Sequence, residues 1–86
     1  MLTIKYFSTS TCGPCKTFRP IVDKISMEMG ISVSKIDAQV STDLVNRYSI
    51  TGVPTLIFEH DDIVVYRHTG LMSYEQLKGL VNRFYN

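Results

Sequence analysis

The spacing of the apolar residues changes from strand-like to helix-like and back along the first part of the chain. Leu2–Phe7 is a short run rich in β-forming residues, which predicts a strand. Apolar residues at helical spacing follow and predict a helix; they are Phe18, Ile21, Val22, Ile25 and Met29. The helix is expected to end at Gly30, because glycine is favoured directly after a helix. Ile31–Asp37 alternates loosely and predicts a second strand. This order predicts two parallel strands joined by a right-handed crossover.

The middle of the chain predicts a short helix followed by a β-hairpin. Ser41 or Thr42 is placed to cap a helix that ends at Tyr48. Two strand-like runs follow, Thr55–Glu59 and Ile63–Arg67, and the short polar segment between them predicts a turn. Strands so close in sequence are expected to pair antiparallel.

A final helix is predicted after Ser73, because Gln76 three residues later completes a capping box. The full order is then β-α-β-α-β-β-α. It predicts a single α/β domain over residues 1–86, with a mixed four-stranded sheet and helices on both faces. The side chains expected to pack the two longer helices on the sheet are Phe18, Ile21, Val22, Ile25, Leu77, Leu80, Val81 and Phe84.

Composition narrows the possible partners. The 86 residues are 44% hydrophobic with a formal net charge of +1, as expected of a compact folded domain. Nucleic acid is not expected as the main partner, because phosphate binding needs a net basic field. No run approaches the roughly 18 apolar residues of a membrane span, and no secretory signal is visible, so we expect no membrane association and a cytoplasmic location.

The two cysteines of the chain are too close together to brace its fold. Cys12-Gly13-Pro14-Cys15 lies between the first strand and the first helix. A helix N-terminus stabilises a thiolate and makes it the reactive form at neutral pH. Pro14 suits the first helical turn, and Gly13 lets a partner's backbone approach closely. We therefore expect an exposed Cys12 that attacks disulfides and a more buried Cys15 that resolves the mixed disulfide.

Two other interpretations of the pair are weaker. A zinc site would need further ligands, but His60 and His68 lack the usual spacing and are predicted to flank the hairpin. Two inert core cysteines would leave the Gly-Pro pair at a helix start unexplained.

Four segments together resemble the thioredoxin family. Cys12-Gly13-Pro14-Cys15-Lys16 is similar to its active-site motif, and Pro20 matches a proline that kinks the active-site helix. Gly52-Val53-Pro54-Thr55 resembles the loop whose proline is cis and faces the cysteines. Thr69-Gly70-Leu71 resembles a loop that helps to line the substrate groove. The resemblance covers nearly the whole chain and implies a minimal thioredoxin fold that begins at the central strand.

The resemblance also implies a substrate surface around the cysteines. A cis Val53–Pro54 bond would expose the Val53 backbone, so that an extended substrate segment could pair with it beside Cys12. The small, mildly apolar residues expected to contact substrate are Thr11, Gly52, Val53, Thr55, Gly70 and Leu71.

Some positions depart from the family pattern. Tyr6 stands where thioredoxins carry a buried aspartate, and Thr11 stands where they carry a tryptophan. Tyr6 is interpreted as a core ring whose hydroxyl finds a partner, with an acid–base role as the alternative. Lys35 matches a lysine near the buried acid; it either biases the proton acceptor for Cys15 or is a surface lysine. Lys16 either favours a cysteine thiolate or is simply solvated.

The predicted function is reversible reduction of protein disulfides through a Cys12–Cys15 dithiol. The redox group belongs to the chain itself, so we expect no cofactor and no metal. Because the sequence has no glycine-rich dinucleotide loop, recycling needs an external donor of the thioredoxin-reductase type. The protein is expected to act as a monomer. The alternatives are a glutaredoxin-like, glutathione-dependent reductase and a thioredoxin-like binding module that docks on a partner enzyme.

Overall fold

Four strands and three helices follow one another in the order that the apolar spacing predicts. The computed structural model describes residues 1–85. Its elements are β1 (Leu2–Ser8), α1 (Gly13–Met29), β2 (Ser32–Asp37), α2 (Thr42–Arg47), β3 (Thr55–His60), β4 (Ile63–Thr69) and α3 (Tyr74–Phe84).

The strands form one mixed sheet in the order β2-β1-β3-β4. β1 runs parallel to β2, as predicted for a strand-helix-strand unit, and antiparallel to β3. β3 and β4 form the predicted antiparallel hairpin, with a bulge between Phe58 and Glu59. Thr55 pairs with Phe7 of β1 and with Thr69 of β4. The end of β1, the start of β3 and the end of β4 therefore lie together at one end of the sheet.

Helices cover both faces of the sheet. On one face, α1 and α3 bury the larger apolar cluster, which includes Tyr6, Phe18, Ile25, Leu77 and Val81. On the other face, the half-buried residues Leu44, Val45 and Tyr48 pack on a smaller cluster formed by Phe7, Ile36 and Ile57. Of the side chains expected to pack the long helices, Ile21, Leu80 and Phe84 lie at the margin of the larger cluster and are only partly buried.

Two turns explain small differences in the predicted bounds. Gly30 ends α1 in the left-handed conformation, with φ of 63°, and the Ile31 N–H bonds to the Ser26 carbonyl at 3.1 Å. Because Ile31 belongs to this helix end, β2 begins at Ser32 instead of Ile31. β4 continues past Arg67 to Thr69, because its last residues still pair with the start of β3. Within residues 1–85, no helix is both long and apolar enough to cross a bilayer.

The β3–β4 hairpin turns over two aspartates. Asp61 and Asp62 have φ values of 51° and 69°, and the flanking residues His60 and Ile63 pair directly. Two consecutive residues at positive φ match the right-handed twist of a hairpin, and aspartate tolerates this conformation. The polar turn predicted from the sequence is therefore a tight two-residue loop.

The capping box of α3 gives a stability prediction. The Ser73 hydroxyl accepts the Gln76 N–H at 3.1 Å, and the Gln76 side chain accepts the Ser73 N–H at 3.0 Å. Ser73→Ala should lower the free energy of unfolding by about 1 kcal/mol, because it removes a helix cap. Urea unfolding at neutral pH measures the change.

Ser41→Ala is the matched control for that prediction. Ser41 precedes α2, but its side chain makes no capping hydrogen bond. Its replacement should therefore change the free energy of unfolding much less than Ser73→Ala does. Equal losses in the two variants would show that the capping box of α3 does not account for the effect.

A partly buried ion pair lies on the sheet face that α2 covers. Lys5 of β1 donates to the carboxylate of Glu59 in β3, and the Tyr48 hydroxyl donates to the same carboxylate at 2.8 Å. The side chain of Glu59 is 2% exposed and that of Lys5 is 23% exposed. The Lys5 ammonium also lies 5.4 Å from the centre of the Tyr48 ring. These three side chains, called here the Lys5–Glu59–Tyr48 cluster, connect β1, β3 and the end of α2.

The cluster predicts a loss of stability in alkali. The hydrogen bond to Glu59 raises the pKa of Lys5 above its ordinary value of 10.5. The folded chain therefore keeps the Lys5 proton at a pH where the unfolded chain releases it, so this stabilisation is complete below pH 10.5 and is lost as the pH rises through the raised pKa. Urea unfolding of the disulfide form between about pH 9 and pH 11.5 should show the fall.

A comparison of variants isolates the contribution of Lys5. Burial also raises the pKa of Tyr6, which gives a fall in stability of the same sign. Lys5→Met should therefore reduce, but not remove, the slope with which the free energy of unfolding falls as the pH rises in alkali. Lys16→Met removes an exposed lysine elsewhere and should leave that slope unchanged. A Lys5→Met slope that equals the wild-type slope would contradict the assignment.

Candidate redox site

The two cysteines form a disulfide at the start of α1, with their Cα atoms 5.2 Å apart. Cys12 is the residue that caps the helix: its backbone is extended, and its sulfur accepts the Cys15 N–H at 3.1 Å. Pro14 occupies the first turn, where its missing N–H costs no hydrogen bond. The strand-to-helix junction predicted for the pair is present, and the Cys12 sulfur lies where the positive end of the helix dipole acts.

The two sulfurs differ in their surroundings. Cys15 is 2% exposed and packs inside the first turn, whereas Cys12 is partly exposed between the exposed residues Thr11 and Gly13. The first turn of α1 contains no acidic residue, and its Lys16 is exposed. A thiolate at Cys12 would thus have an N–H donor, a favourable helix dipole and no carboxylate in that turn to repel it. This is the environment that the attacking role of Cys12 requires.

Two further loops, before β3 and after β4, lie at the same end of the sheet as the start of α1. The Val53–Pro54 peptide bond is cis, and Pro54 is buried. The Pro54 carbonyl accepts the Gly70 N–H at 2.8 Å, which connects the loop before β3 to the loop after β4. Thr55 strengthens the connection: its hydroxyl donates to the Gly52 carbonyl at 2.6 Å and shares a 3.0 Å hydrogen bond with the Thr69 hydroxyl.

The residues predicted to contact substrate occupy these loops in different ways. Thr11 and Leu71 are exposed, and Leu71 retains 50% of its accessible surface. Gly52, Val53 and Gly70 are half-buried, and Gly70 takes a φ of 106° that favours glycine. Thr55 is only 1% exposed, so its side chain cannot contact a substrate. It stabilises the loop through its hydrogen bond to the Gly52 carbonyl. The accessible residues form a small, mildly apolar surface.

Tyr6 lies directly beneath the second cysteine. Its ring is fully buried against Phe18, with ring centres 6.0 Å apart, and its hydroxyl donates to the Cys15 carbonyl at 2.8 Å. Burial raises the pKa of Tyr6 above its ordinary value of 10.0. The hydroxyl is therefore a donor at neutral pH, and its hydrogen bond goes to the backbone of Cys15 instead of its sulfur.

Lys35 and the two histidines lie away from the cysteine sulfurs. The Lys35 ammonium lies 2.7 Å from the Asp23 carboxylate on α1, and both side chains are more than 40% exposed. A role for Lys35 in moving the Cys15 proton stays a prediction. His60 bonds to the Phe84 carbonyl and His68 to the Leu71 carbonyl, so they do not meet the cysteines. No cluster of three potential metal ligands occurs within residues 1–85.

Two functional contacts could not be found from sequence reasoning. The hydrogen bonds of the Cys15 N–H to Cys12 and of the Tyr6 hydroxyl to the Cys15 carbonyl depend on how β1 and α1 pack. The available signal was a tyrosine in β1 six residues before Cys12. It indicated a buried hydroxyl that needs a partner but not which atom it bonds.

The Cys12–Cys15 pair can undergo thiol–disulfide exchange with another disulfide. In the reduced chain, a Cys12 thiolate would be accessible and stabilised, and Cys15 would be close enough to form an intramolecular disulfide with it. The Cys12–Cys15 pair is thus a redox-active group that the chain itself provides.

Comparison with known proteins agrees with this geometry. The family model described as Thioredoxin matches residues 2–83. The chain is 34% identical over 74 residues to the thioredoxin of Bacillus subtilis (84% of this chain, 71% of the relative). It is 31% identical over 78 residues to the thioredoxin of Chlamydia trachomatis (90% of this chain, 76% of the relative).

Solved structures show the same fold. A mutant thioredoxin from Halobacterium salinarum NRC-1 superimposes with a TM-score of 0.93 at 29% identity, covering 99% of this chain and 75% of that one. Fasciola hepatica thioredoxin gives a TM-score of 0.87 at 28% identity, over 95% of this chain and 79% of the other. With its cysteine pair at the start of α1, the chain belongs to the thioredoxin family and is a thiol–disulfide oxidoreductase.

Proposed function

We propose that the chain reduces disulfide bonds in other proteins as a monomer and is recycled by a donor of the thioredoxin-reductase type. The observation that carries the proposal is the asymmetry of the pair. Cys12 is partly exposed and its sulfur accepts the Cys15 N–H, while Cys15 is buried behind it. A redox pair of this shape suits a two-step exchange in which only one sulfur meets the substrate.

The reaction begins with attack by the Cys12 thiolate on one sulfur of the substrate disulfide. A Cys12–substrate disulfide forms, the substrate bond breaks, and the first substrate sulfur leaves as a thiolate. Cys15 then loses its proton and attacks the Cys12 sulfur, which releases the second substrate sulfur. The two cysteines are oxidised to a disulfide, the substrate gains two electrons, and two protons accompany them overall.

Substrate would dock on the three loops that follow β1, precede β3 and follow β4, because the ends of these strands lie together. An extended segment beside the cysteine could pair with the Val53 backbone, while the exposed Thr11 and Leu71 contact its side chains. The loop residues of this surface are uncharged, which favours recognition of varied protein segments over one charged metabolite. The same surface would receive the reductase, because the donor must also reach the Cys12 sulfur.

The near-neutral charge of the chain supports a role among many protein partners. Nine basic and eight acidic side chains give a net charge of +1, so no strong field selects partners of one sign. We propose that the protein acts in the cytoplasm, where it carries electrons to disulfides and maintains redox balance.

The donor is tested by supplying two electron sources separately. Insulin serves as the disulfide acceptor, and NADPH consumption is followed with thioredoxin reductase or with glutathione and glutathione reductase. We expect consumption that depends on the chain with thioredoxin reductase and little with the glutathione system. Cys12→Ser is the control in both arms, because it should return each rate to that without the chain.

The opposite result would reassign the function. Faster turnover with glutathione would favour the glutaredoxin-like alternative. No turnover with either donor, and no acceleration of insulin reduction by dithiothreitol, would favour a module that binds a partner enzyme.

A further inference from the structure

Tyr6 connects the middle of the sheet to the second cysteine. It pairs in register with Lys35 of β2 and with Leu56 of β3, so its backbone is held on both sides. Its ring is fully buried against Phe18 of α1. The hydroxyl therefore reaches the Cys15 carbonyl from a rigid base, at 2.8 Å.

Cys15 is held at both ends of its main chain. Its carbonyl oxygen accepts the Tyr6 hydroxyl, and its N–H donates to the Cys12 sulfur at 3.1 Å. Because both groups belong to one residue, a shift of the Cys15 backbone that lengthens the first hydrogen bond also moves the N–H relative to that sulfur. The orientation of the Cys15 backbone thus determines how well Cys12 is stabilised as a thiolate, since a hydrogen bond to the charged form favours it.

Next to Cys15, the helix has one backbone hydrogen bond fewer than usual. Pro20 lies inside α1 and has no N–H, so the Lys16 carbonyl lacks its usual partner four residues later. The carbonyl of Cys15, directly before Lys16, has a second lone pair that the Tyr6 hydroxyl uses. The Tyr6 hydroxyl of β1 thus adds a hydrogen bond to α1 next to the carbonyl that Pro20 leaves without a partner.

A proton-accepting role for Tyr6 does not fit its surroundings. Burial raises its pKa, so the phenol remains protonated at neutral pH, and its proton is directed at a carbonyl oxygen. The charged groups that act on this hydroxyl are Arg19 and Asp23 of α1, and Asp23 is paired with Lys35 of β2. The contact through which Tyr6 can act on the redox pair is therefore its hydrogen bond to the Cys15 carbonyl.

We propose that Tyr6 is a positioning residue for the redox pair: its hydroxyl fixes the Cys15 backbone so that the Cys15 N–H faces the Cys12 sulfur and favours the thiolate. The inference rests on the cysteine pair alone and is independent of the identity of the substrate or the electron donor.

The test measures the alkylation of Cys12 by iodoacetamide as a function of pH. Tyr6→Phe keeps the ring that packs on Phe18 and removes only the hydroxyl. Both proteins carry Cys15→Ser, so that Cys12 is the one remaining thiol. In Tyr6→Phe, we expect the alkylation rate constant near pH 6.5 to fall about threefold to tenfold relative to the parent, as for the weakening of one hydrogen bond. The rate constant at high pH, where Cys12 is fully ionised, should stay the same.

Tyr66→Phe in the same background is the matched control. It removes a hydroxyl from a partly buried ring of the same apolar cluster, which stacks on Phe84 away from the cysteines. Its rate profile should superimpose on that of the parent.

Two outcomes would overturn the inference. If the Tyr6→Phe profile superimposes on the parent profile while the free energy of unfolding falls, Tyr6 is only structural. If the profiles superimpose but Tyr6→Phe with Cys15 intact resolves the mixed disulfide more slowly, Tyr6 acts on the Cys15 proton.

Discussion

Cys12→Ser is expected to abolish the acceleration of insulin reduction by dithiothreitol, leaving only the rate of dithiothreitol alone. The reason is that Cys12 holds the accessible sulfur, while Cys15 is 2% exposed and cannot reach a protein disulfide. Cys15→Ser is tested after reduction and removal of dithiothreitol: Cys12 still attacks insulin, and the mixed disulfide accumulates because neither a second cysteine nor dithiothreitol is present to resolve it. Mass spectrometry under non-reducing conditions measures the trapped adduct.

The two variants are controls for each other. Each removes one sulfur from the same helical turn, and only Cys15→Ser should form a stable adduct with one insulin chain. A stable adduct with Cys12→Ser instead would exchange the roles of the two cysteines. Adducts with both variants in equal amounts would show that burial of Cys15 does not direct the attack.

The ion pair between Lys5 and the buried Glu59 should produce the largest effects on stability. Lys5→Met leaves the Glu59 carboxylate without its cation at a site that is 2% exposed, and should lower the free energy of unfolding by about 3–5 kcal/mol. Glu59→Leu should cost less, because the Lys5 side chain is 23% exposed and its ammonium can turn to water. Urea unfolding of the oxidised proteins at pH 7 measures both losses.

The double variant tests whether these losses belong to one interaction. Lys5→Met with Glu59→Leu replaces the pair by apolar side chains of similar length, which is often neutral for a buried pair. Its stability should therefore exceed that of Lys5→Met alone and lie near the wild-type value. Losses that simply add in the double variant would show that the two residues act independently.

These two predictions differ in how far the sequence could anticipate them. The cysteine pair was found from sequence because its spacing, its Gly-Pro centre and its place at a helix start are all local. The element order was likewise predictable, since apolar periodicity and capping residues act over a few positions. Ser73 with Gln76 is the clearest case: the predicted capping box is present in full.

The Lys5–Glu59–Tyr48 cluster could not be predicted in this way. Lys5 and Glu59 are 54 positions apart, and their contact depends on the register between β1 and β3. A shift of one residue would place both side chains on the opposite face of the sheet. The register shift between Phe58 and Glu59 has no clear sequence signal either, and it leaves Val65 of β4 without a partner in β3. Tertiary register, and not local pattern, fixes these features.

The Cys12–Cys15 dithiol itself is expected to reduce a protein disulfide. The direct measurement is a single turnover: the fully reduced chain is freed of other thiols, mixed with excess insulin and followed by mass spectrometry and thiol counting. Each chain should reduce one insulin disulfide and be converted to its Cys12–Cys15 disulfide form. A chain that remains a dithiol beside intact insulin would contradict it.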